Sequence, residues 1–225
     1  MHSVDSPAAV TTDSQSTPKA EVRARPVYRT LLIFGAPGSG KGTQGNALGM
    51  VPRFVHFACG EVFRSLDTRT KLGQSFLHYS SRGKLVPDEL TVELWHEHID
   101  KMVDAGRFKP DIDVLVLDGI PRNVQQAILM EQHIVVEKVF HLTCPDRNKL
   151  VTRLTKRALK DNRLDDANEE VIRKRLEIYE KESKPLLDYY LPRGVVQTID
   201  ATQPPVVVLS DILHGIIKLS NLPAI

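Results

Sequence analysis

The chain has 225 residues, 41% of them hydrophobic, and 30 basic against 28 acidic side chains leave a formal net charge of +2. That length can bury the core of one α/β domain, and that balance gives no overall field to draw the chain to nucleic acid or to a membrane surface. Cys59 and Cys144 are the only cysteines; far apart and without C-x-x-C spacing, they fit a reducing compartment and offer no disulfide framework.

In chain order, residues 1–27 come first, rich in Ser, Thr, Pro and Ala with few large apolar side chains. They read as a disordered tail ahead of a domain over 28–221. A signal peptide would show a basic start and then an apolar stretch, and neither occurs. No run in the chain approaches the roughly 20 apolar residues of a membrane helix; a cytoplasmic monomer is expected, with an organellar transit segment as the less favoured alternative for the tail.

Strands are predicted at 28–34, 53–58, 113–118, 137–143 and 194–200, several of them continuous apolar runs of the kind covered on both faces. Helical patterns fall between them at 42–49, 61–66, 71–81, 88–105, 123–132, 146–160, 168–190 and 205–219. Strand alternating with helix predicts a doubly wound five-stranded parallel sheet with helices on both faces, whose ligands bind beyond the carboxyl ends of the strands.

The first strand runs into "GAPGSGKGTQ", residues 35–44, which meets G-x-x-x-x-G-K from Gly35 to Lys41 but then has Gly42, so that the hydroxyl arrives one place late at Thr43. The glycines allow backbone N–H groups to converge on an anion, the following helix adds its positive end, Lys41 can reach terminal phosphates, and Thr43 is the best hydroxyl for a magnesium shell. The second strand ends in "CGEVFR" (59–64), with Cys59 and Gly60 expected in a turn and Arg64 on the next helix, as suited to a surface salt bridge as to an anion when taken alone. The third ends in "LDGIPR" (117–122), placing Asp118 where a carboxylate can hold magnesium through water and Arg122 where its planar fork can grip a phosphate. Arg64 and Arg122 together make a second anion site the better account.

The stretch 156–175 is dense in charge and reads as a surface excursion between helices. Its arginines and those of its flanks, Arg153, Arg157, Arg163 and Arg175, added to Lys41, Arg64 and Arg122, exceed what one triphosphate needs. Two phosphorylated ligands would use them all. Transfer of a γ-phosphoryl group from a nucleoside triphosphate to a monophosphate demands alignment, charge neutralisation and exclusion of water. It needs no strong base, because a phosphate monoester is already largely ionised near neutral pH. The histidines fit that absence of a base, being scattered, and His96 and His98, two apart on a helix, do not share a face.

Taken together, "GAPGSGKGTQ", "CGEVFR", "GKLVPDEL" (83–90), "LDGIPRNVQQA" (117–127) and "NRLDDANEEVIRKRLEIYEKESKPLLDYY" (162–190) resemble the nucleoside monophosphate kinases, and within them the short-lid adenylate kinases. The resemblance implies ATP on Gly38, Ser39, Gly40, Lys41, Gly42 and Thr43, with Arg153, Arg157 and Gln203 beside it. It implies AMP against Cys59, Arg64, Leu85, Val86, Gly119, Arg122, Gln126, Arg163 and Arg175, with 59–88 as the acceptor-binding helical insertion and Gln126 reading the base. The catalytic set would be Lys41, Arg122, Arg157, Arg163 and Arg175, and magnesium would take Thr43 and Asp118, partly through water. About five residues separate Arg157 from Arg163, so 157–168 is the short lid and no structural zinc is expected.

Several residues depart from the family pattern. Cys59-Gly60-Glu61 stands where adenylate kinases usually have Thr-Gly-Asp and the uridylate-cytidylate kinases Ala-Gly-Asp, and Ile120 replaces a usual phenylalanine. Ala167 adds a residue near the lid hinge, and the glycine backing the ATP base is replaced around Gln203–Pro205. Gln126 favours AMP over pyrimidine monophosphates, leaving a UMP/CMP kinase as the alternative. A GTPase-type switch protein would carry Asn-Lys-x-Asp, which is missing; a kinase of another small acceptor would leave the paired arginines unexplained; a dead scaffold would have lost Lys41 or the arginines.

Overall fold

The computed structural model describes residues 27–161, 166 and 168–219. Five strands, β1 (Tyr28–Gly35), β2 (Phe54–Ala58), β3 (Val114–Asp118), β4 (Ile134–Thr143) and β5 (Val196–Asp200), form one sheet in the order β2-β3-β1-β4-β5. Every neighbouring pair is parallel. The chain leaves β1 toward β2 on one side and leaves β4 toward β5 on the other, so a crevice opens between β1 and β4 at their carboxyl ends.

Alternation along β1 decides which face each side chain serves. Leu31 and Ile33 join Val116, Phe140, Leu142 and Ile199 beneath α1 (Lys41–Gly49) and α9 (Pro205–Ile217), which contribute Leu48, Val208, Ile212 and Ile216. Leu32 and Phe34 face the opposite way, with Phe57, Leu115, Leu117 and Val139. They meet α4 (Asp88–Asp104), α5 (Val124–Met130), α6 (Arg147–Asp161), α7 (Glu169–Ile178) and α8 (Leu186–Tyr190) through Trp95, Ile99, Met130, Leu154, Leu176 and Tyr190. Each fully buried Leu or Ile on these faces stabilises the fold by about 1.5–3 kcal/mol. Two shorter helices, α2 (Cys59–Arg64) and α3 (Lys71–Ser80), form the insertion after β2, closed by Phe63 stacked on Phe76 with ring centroids 5.2 Å apart.

Local chemistry starts these helices where they start. Thr70 accepts from Gly73 N at the head of α3, Asn123 from Gln126 N at α5, and Asn168 from Val171 N at α7; each offers a side-chain oxygen to an N–H that has no partner within the helix. Helix α1 lies directly against β2 because Gly45 and Gly49 have no side chains: a Cβ on Gly45 would stand 2.2 Å from His56 Nε2, and one on Gly49 2.9 Å from His56 Cβ. That close approach sets where the loop ahead of α1 can lie.

The boundaries differ from the pattern in three places. Helix α2 begins at Cys59, so Cys59 and Gly60 are helical rather than in a turn. Strand β4 begins at Ile134, three residues early, because Tyr28 pairs with Ile134 and Tyr28 N donates to His133 O at 2.8 Å. The single helix expected over 168–190 is broken by a wide turn at Tyr179–Ser183, where Lys184 N donates to Tyr179 O at 2.8 Å. Pro185 has no N–H with which to continue the ordinary ladder, and its ring crowds the preceding turn. No helix among the described residues is long and apolar enough to cross a membrane. The tail over 1–26, residues 220 and 221 of the expected domain, and Ala167 lie outside the described residues.

Candidate active site

The loop between β1 and α1 takes its path from glycines. At Gly35, φ is 150° and a Cβ would be 2.5 Å from Leu142 O; at Gly40, φ is 99° on the threshold of α1. Both conformations are ones that side chains rarely allow. Ser39 is buried in this loop, and its Oγ has no hydrogen-bond partner among the described residues. Lys41 folds back over the loop, donating from Nζ to Gly35 O at 2.8 Å and to Ala36 O at 3.1 Å. Burial pulls its ammonium down to about 8; Asp118 opposes the shift, while Arg122, Arg157 and Arg175 add to it. A cation held uncomfortably among cations is suited to receiving phosphate.

Gly42, which displaces the hydroxyl to Thr43, faces the end of β3: a Cβ there would lie 3.5 Å from Asp118 Oδ2. Thr43 and Asp118 both line the cleft. A hydroxyl and one carboxylate are hard oxygen donors, and no group of three or more His, Cys, Asp or Glu among the described residues could hold a metal. Such a pair fits magnesium arriving with a substrate's phosphates and waters better than an ion caged by protein alone.

On the other bank, Arg122 is braced twice. Its Nε donates to Gly119 O at 2.8 Å, and its backbone N donates to Gln126 Oε1 at 2.7 Å. The other end of the Gln126 amide donates to Asp88 Oδ1 at 2.8 Å, and Asp88 also accepts from Asn123 Nδ2 at 3.0 Å. Gln126 is 1% exposed and Cys59 is 1% exposed, and neither lines the cleft. Sequence reasoning put both against the acceptor; the structure puts them one layer behind, Cys59 under Gly119 and Gln126 under the Arg122 turn. Burial also pushes the Cys59 thiol up to about 11, so it stays protonated and packs as a small apolar group. Arg64, Leu85, Val86, Gly119 and Arg122 do line the cleft, with Arg64 lying over Gly60.

The charged excursion supplies a third wall. Arg157 of α6 donates from Nε to Asp166 Oδ2 at 2.9 Å, and Arg175 of α7 donates to Asp166 Oδ1, so two guanidinium groups from different helices share one fully buried carboxylate. Asp166, Asp88 and Gln44 were missed as functional residues by sequence reasoning. Gln44 donates to Pro205 O at 3.0 Å and ties α1 to the start of α9. Arg153 places both terminal nitrogens on Ala201 O, at 3.0 and 3.1 Å, and Gln203 lies beside it on the cleft wall. Arg163 lies outside the described residues.

Together these walls enclose a cleft of about 750 Å³ running from the glycine loop to Arg64. It is wide enough for two nucleotides by the usual size of ligand sites. A phosphate loop at one end of the cleft and separately braced arginines at the other define a P-loop nucleotide kinase. A family model described as adenylate kinase matches residues 33–195. An adenylate kinase of Cyanothece sp. is 39% identical over 198 residues, spanning 85% of this chain and 96% of its own length. One from Porphyromonas gingivalis is 38% identical over 178 residues, spanning 76% and 87%, and one from Streptomyces coelicolor is 31% identical over 207 residues, spanning 77% and 92%. The chain belongs to the adenylate kinase family.

Proposed function

We propose that this enzyme transfers the γ-phosphoryl group of ATP to AMP reversibly, giving two ADP, with ATP on Gly38–Thr43 and AMP between Arg64, Leu85, Val86, Gly119 and Arg122. The carrying observation is that Lys41, Arg122, Arg157 and Arg175 face one cleft, close enough for the three arginines to depress the lysine. Those cations approach the transferring group from both nucleotide sides, and the chemistry asks for little else than alignment and charge. Lys41 leaves its loop carbonyls for the phosphates; Arg122 holds the acceptor phosphate; Arg157 and Arg175, fixed on Asp166, neutralise charge on the moving group. Arg163 belongs to the same set by family pattern. Magnesium would be held by Thr43 and Asp118, and supplies charge neutralisation and orientation at the donor phosphates. Closure of 157–168 over the donor excludes water, which protects the triphosphate from hydrolysis. The enzyme acts in this reading as a cytoplasmic monomer.

Gln126 is assigned here to holding the Arg122 turn, so it no longer weighs for AMP by itself; the named relatives and the matching family model support AMP over a pyrimidine acceptor. ADP formation with AMP, compared with CMP, UMP and GMP, tests the assignment. AMP is expected to lead by at least about tenfold in kcat/KM, roughly the discrimination of one good hydrogen bond; a lead by CMP or UMP would return the pyrimidine reading.

The depressed Lys41 gives a pH signature. In the free enzyme the ammonium is lost as pH rises through about 8, whereas bound phosphate favours the charged form. The kcat/KM for MgATP, which reports free-enzyme ionisations, is therefore expected to fall above about pH 8 while kcat holds to higher pH. For the empty protein the linkage has the opposite sense: folding carries a cost for charged Lys41 below that value, and the cost is relieved between about 8 and 10.5. A kcat/KM profile flat to pH 10 would contradict the assignment.

A further inference from the structure

We infer that the hydrogen bond between Tyr179 and His141 sets where Arg175 stands in the cleft, which makes Tyr179 and His141 positioning residues for the transfer; this rests on the assignment of Arg175 to the moving phosphoryl group. Tyr179 OH lies 3.2 Å from His141 Nε2. Tyr179 follows Arg175 by one turn, its backbone N donating to Arg175 O, so the two side chains share a face of α7, and both line the cleft. The Tyr179 ring lies against Phe34 and the Phe34 ring against His141, each pair with centroids 5.7 Å apart. Phe34 and His141 are partners in register on β1 and β4, the two strands between which the crevice opens. The residue after Phe34 is Gly35, whose carbonyl holds Lys41 Nζ. One side chain thus ties the helix that carries Arg175 to the strand end that leads to Lys41.

The hydroxyl contributes something the ring does not. Ile172 and Leu176 bury the same helix in the core, but apolar packing is non-directional and tolerates a small slide or rotation. A hydrogen bond fixes both a distance and an angle. The wide turn at Tyr179–Ser183 interrupts the helix directly beyond this point, so α7 does not take its rotation from α8. Asp166 holds the guanidinium of Arg175; Tyr179 holds the backbone from which that side chain springs. Burial lowers the His141 imidazole and raises the Tyr179 phenol, so both groups are neutral at pH 7 and the bond needs no ion to sustain it. Transfer between two phosphates is sensitive to such placement, since a displacement of about 1 Å can cost on the order of a hundredfold.

The test removes the hydroxyl and keeps the ring. In Tyr179→Phe, kcat is expected to fall by about tenfold while the KM values for AMP and MgATP stay within about twofold. His141→Leu should give the same loss, and His141→Gln, whose amide can donate or accept, should hold kcat within about threefold of the wild type. The deciding comparison is made in an Arg175→Ala background. There Tyr179→Phe should lower kcat by less than about twofold further, because the group it positions is gone; a bond that serves the fold alone would act alike in both backgrounds. His141→Leu in the same two backgrounds carries the test if the phenylalanine variant does not fold. A wild-type kcat in Tyr179→Phe, a loss that falls on the KM values instead, or a full loss repeated in Arg175→Ala overturns the inference. Normal turnover in Arg175→Ala itself would instead overturn the assignment on which it rests.

Discussion

Lys41→Met lowers kcat by about 10²–10³-fold, the usual scale for removing one preorganised charge from a transition state, while the protein unfolds within a few degrees of the wild type. The first half follows from position. Lys41 is the only cation of the site that springs from the phosphate loop itself, and its resting bonds to Gly35 O and Ala36 O hold Nζ in the cleft, where the proposed function puts the donor phosphates. Methionine keeps the length and loses the charge. The second half follows from energetics. The ammonium is depressed to about 8 by burial, so at neutral pH its charge opposes folding, and an apolar replacement removes that cost as it removes the two bonds. Steady-state kinetics beside thermal unfolding separates the two effects; turnover near normal would reject the role, and a collapsed fold would show the lysine to be structural.

Asp166→Asn lowers kcat by roughly 10–100-fold and destabilises the fold by about 1–3 kcal/mol, the range for leaving a buried polar group poorly matched. Asp166 is fully buried, and Arg157 and Arg175 are each largely covered. Its two oxygens serve one guanidinium each, so the carboxylate is what brings an arginine of α6 and an arginine of α7 to one place. Asparagine keeps the shape but offers an N–H₂ to one of two donors, and that arginine swings away. Asp166 touches no substrate atom in this reading; it is a positioning residue, and the loss should fall on kcat more than on the KM for AMP, whose phosphate is held by Arg122 and Arg64. An equal rise in that KM with kcat preserved would contradict this.

The parts of the architecture that were legible are those written in short stretches. Short apolar segments, several of them continuous, marked all five strands, because strands of a parallel sheet are covered on both faces, and the glycine loop announced itself through conformations that only glycine adopts freely. Asp118, the last residue of an apolar strand, and Arg122, in the turn that follows it, were expected at the mouth of the sheet by the same logic, and both line the cleft. What stayed hidden depends on partners distant in sequence. Nothing local distinguishes a glutamine that reads a base from Gln126, whose amide is taken by Arg122 N and by Asp88, 38 residues away. Cys59 looked like a turn residue until α2 was seen to begin on it. Asp166 sat in a charge-dense stretch whose composition suggests solvent, yet its carboxylate has no exposure. The broken helix at Tyr179–Ser183 had a visible cause in Pro185, whose effect on the preceding turn outweighed an otherwise helical pattern.

Gly42 faces the β3 carboxylate: a Cβ there would make ordinary van der Waals contact with Asp118 Oδ2 at 3.5 Å, so the first turn of α1 and the end of β3 lie side by side. The loop and the strand end are matched parts of one site.

The most direct measurement follows the label of γ-³²P ATP in the presence of AMP and magnesium. The account predicts that it appears as the β-phosphate of ADP, with two ADP formed for each ATP consumed and little free phosphate. Label released chiefly as inorganic phosphate, or transferred to UMP or CMP in preference to AMP, would contradict it.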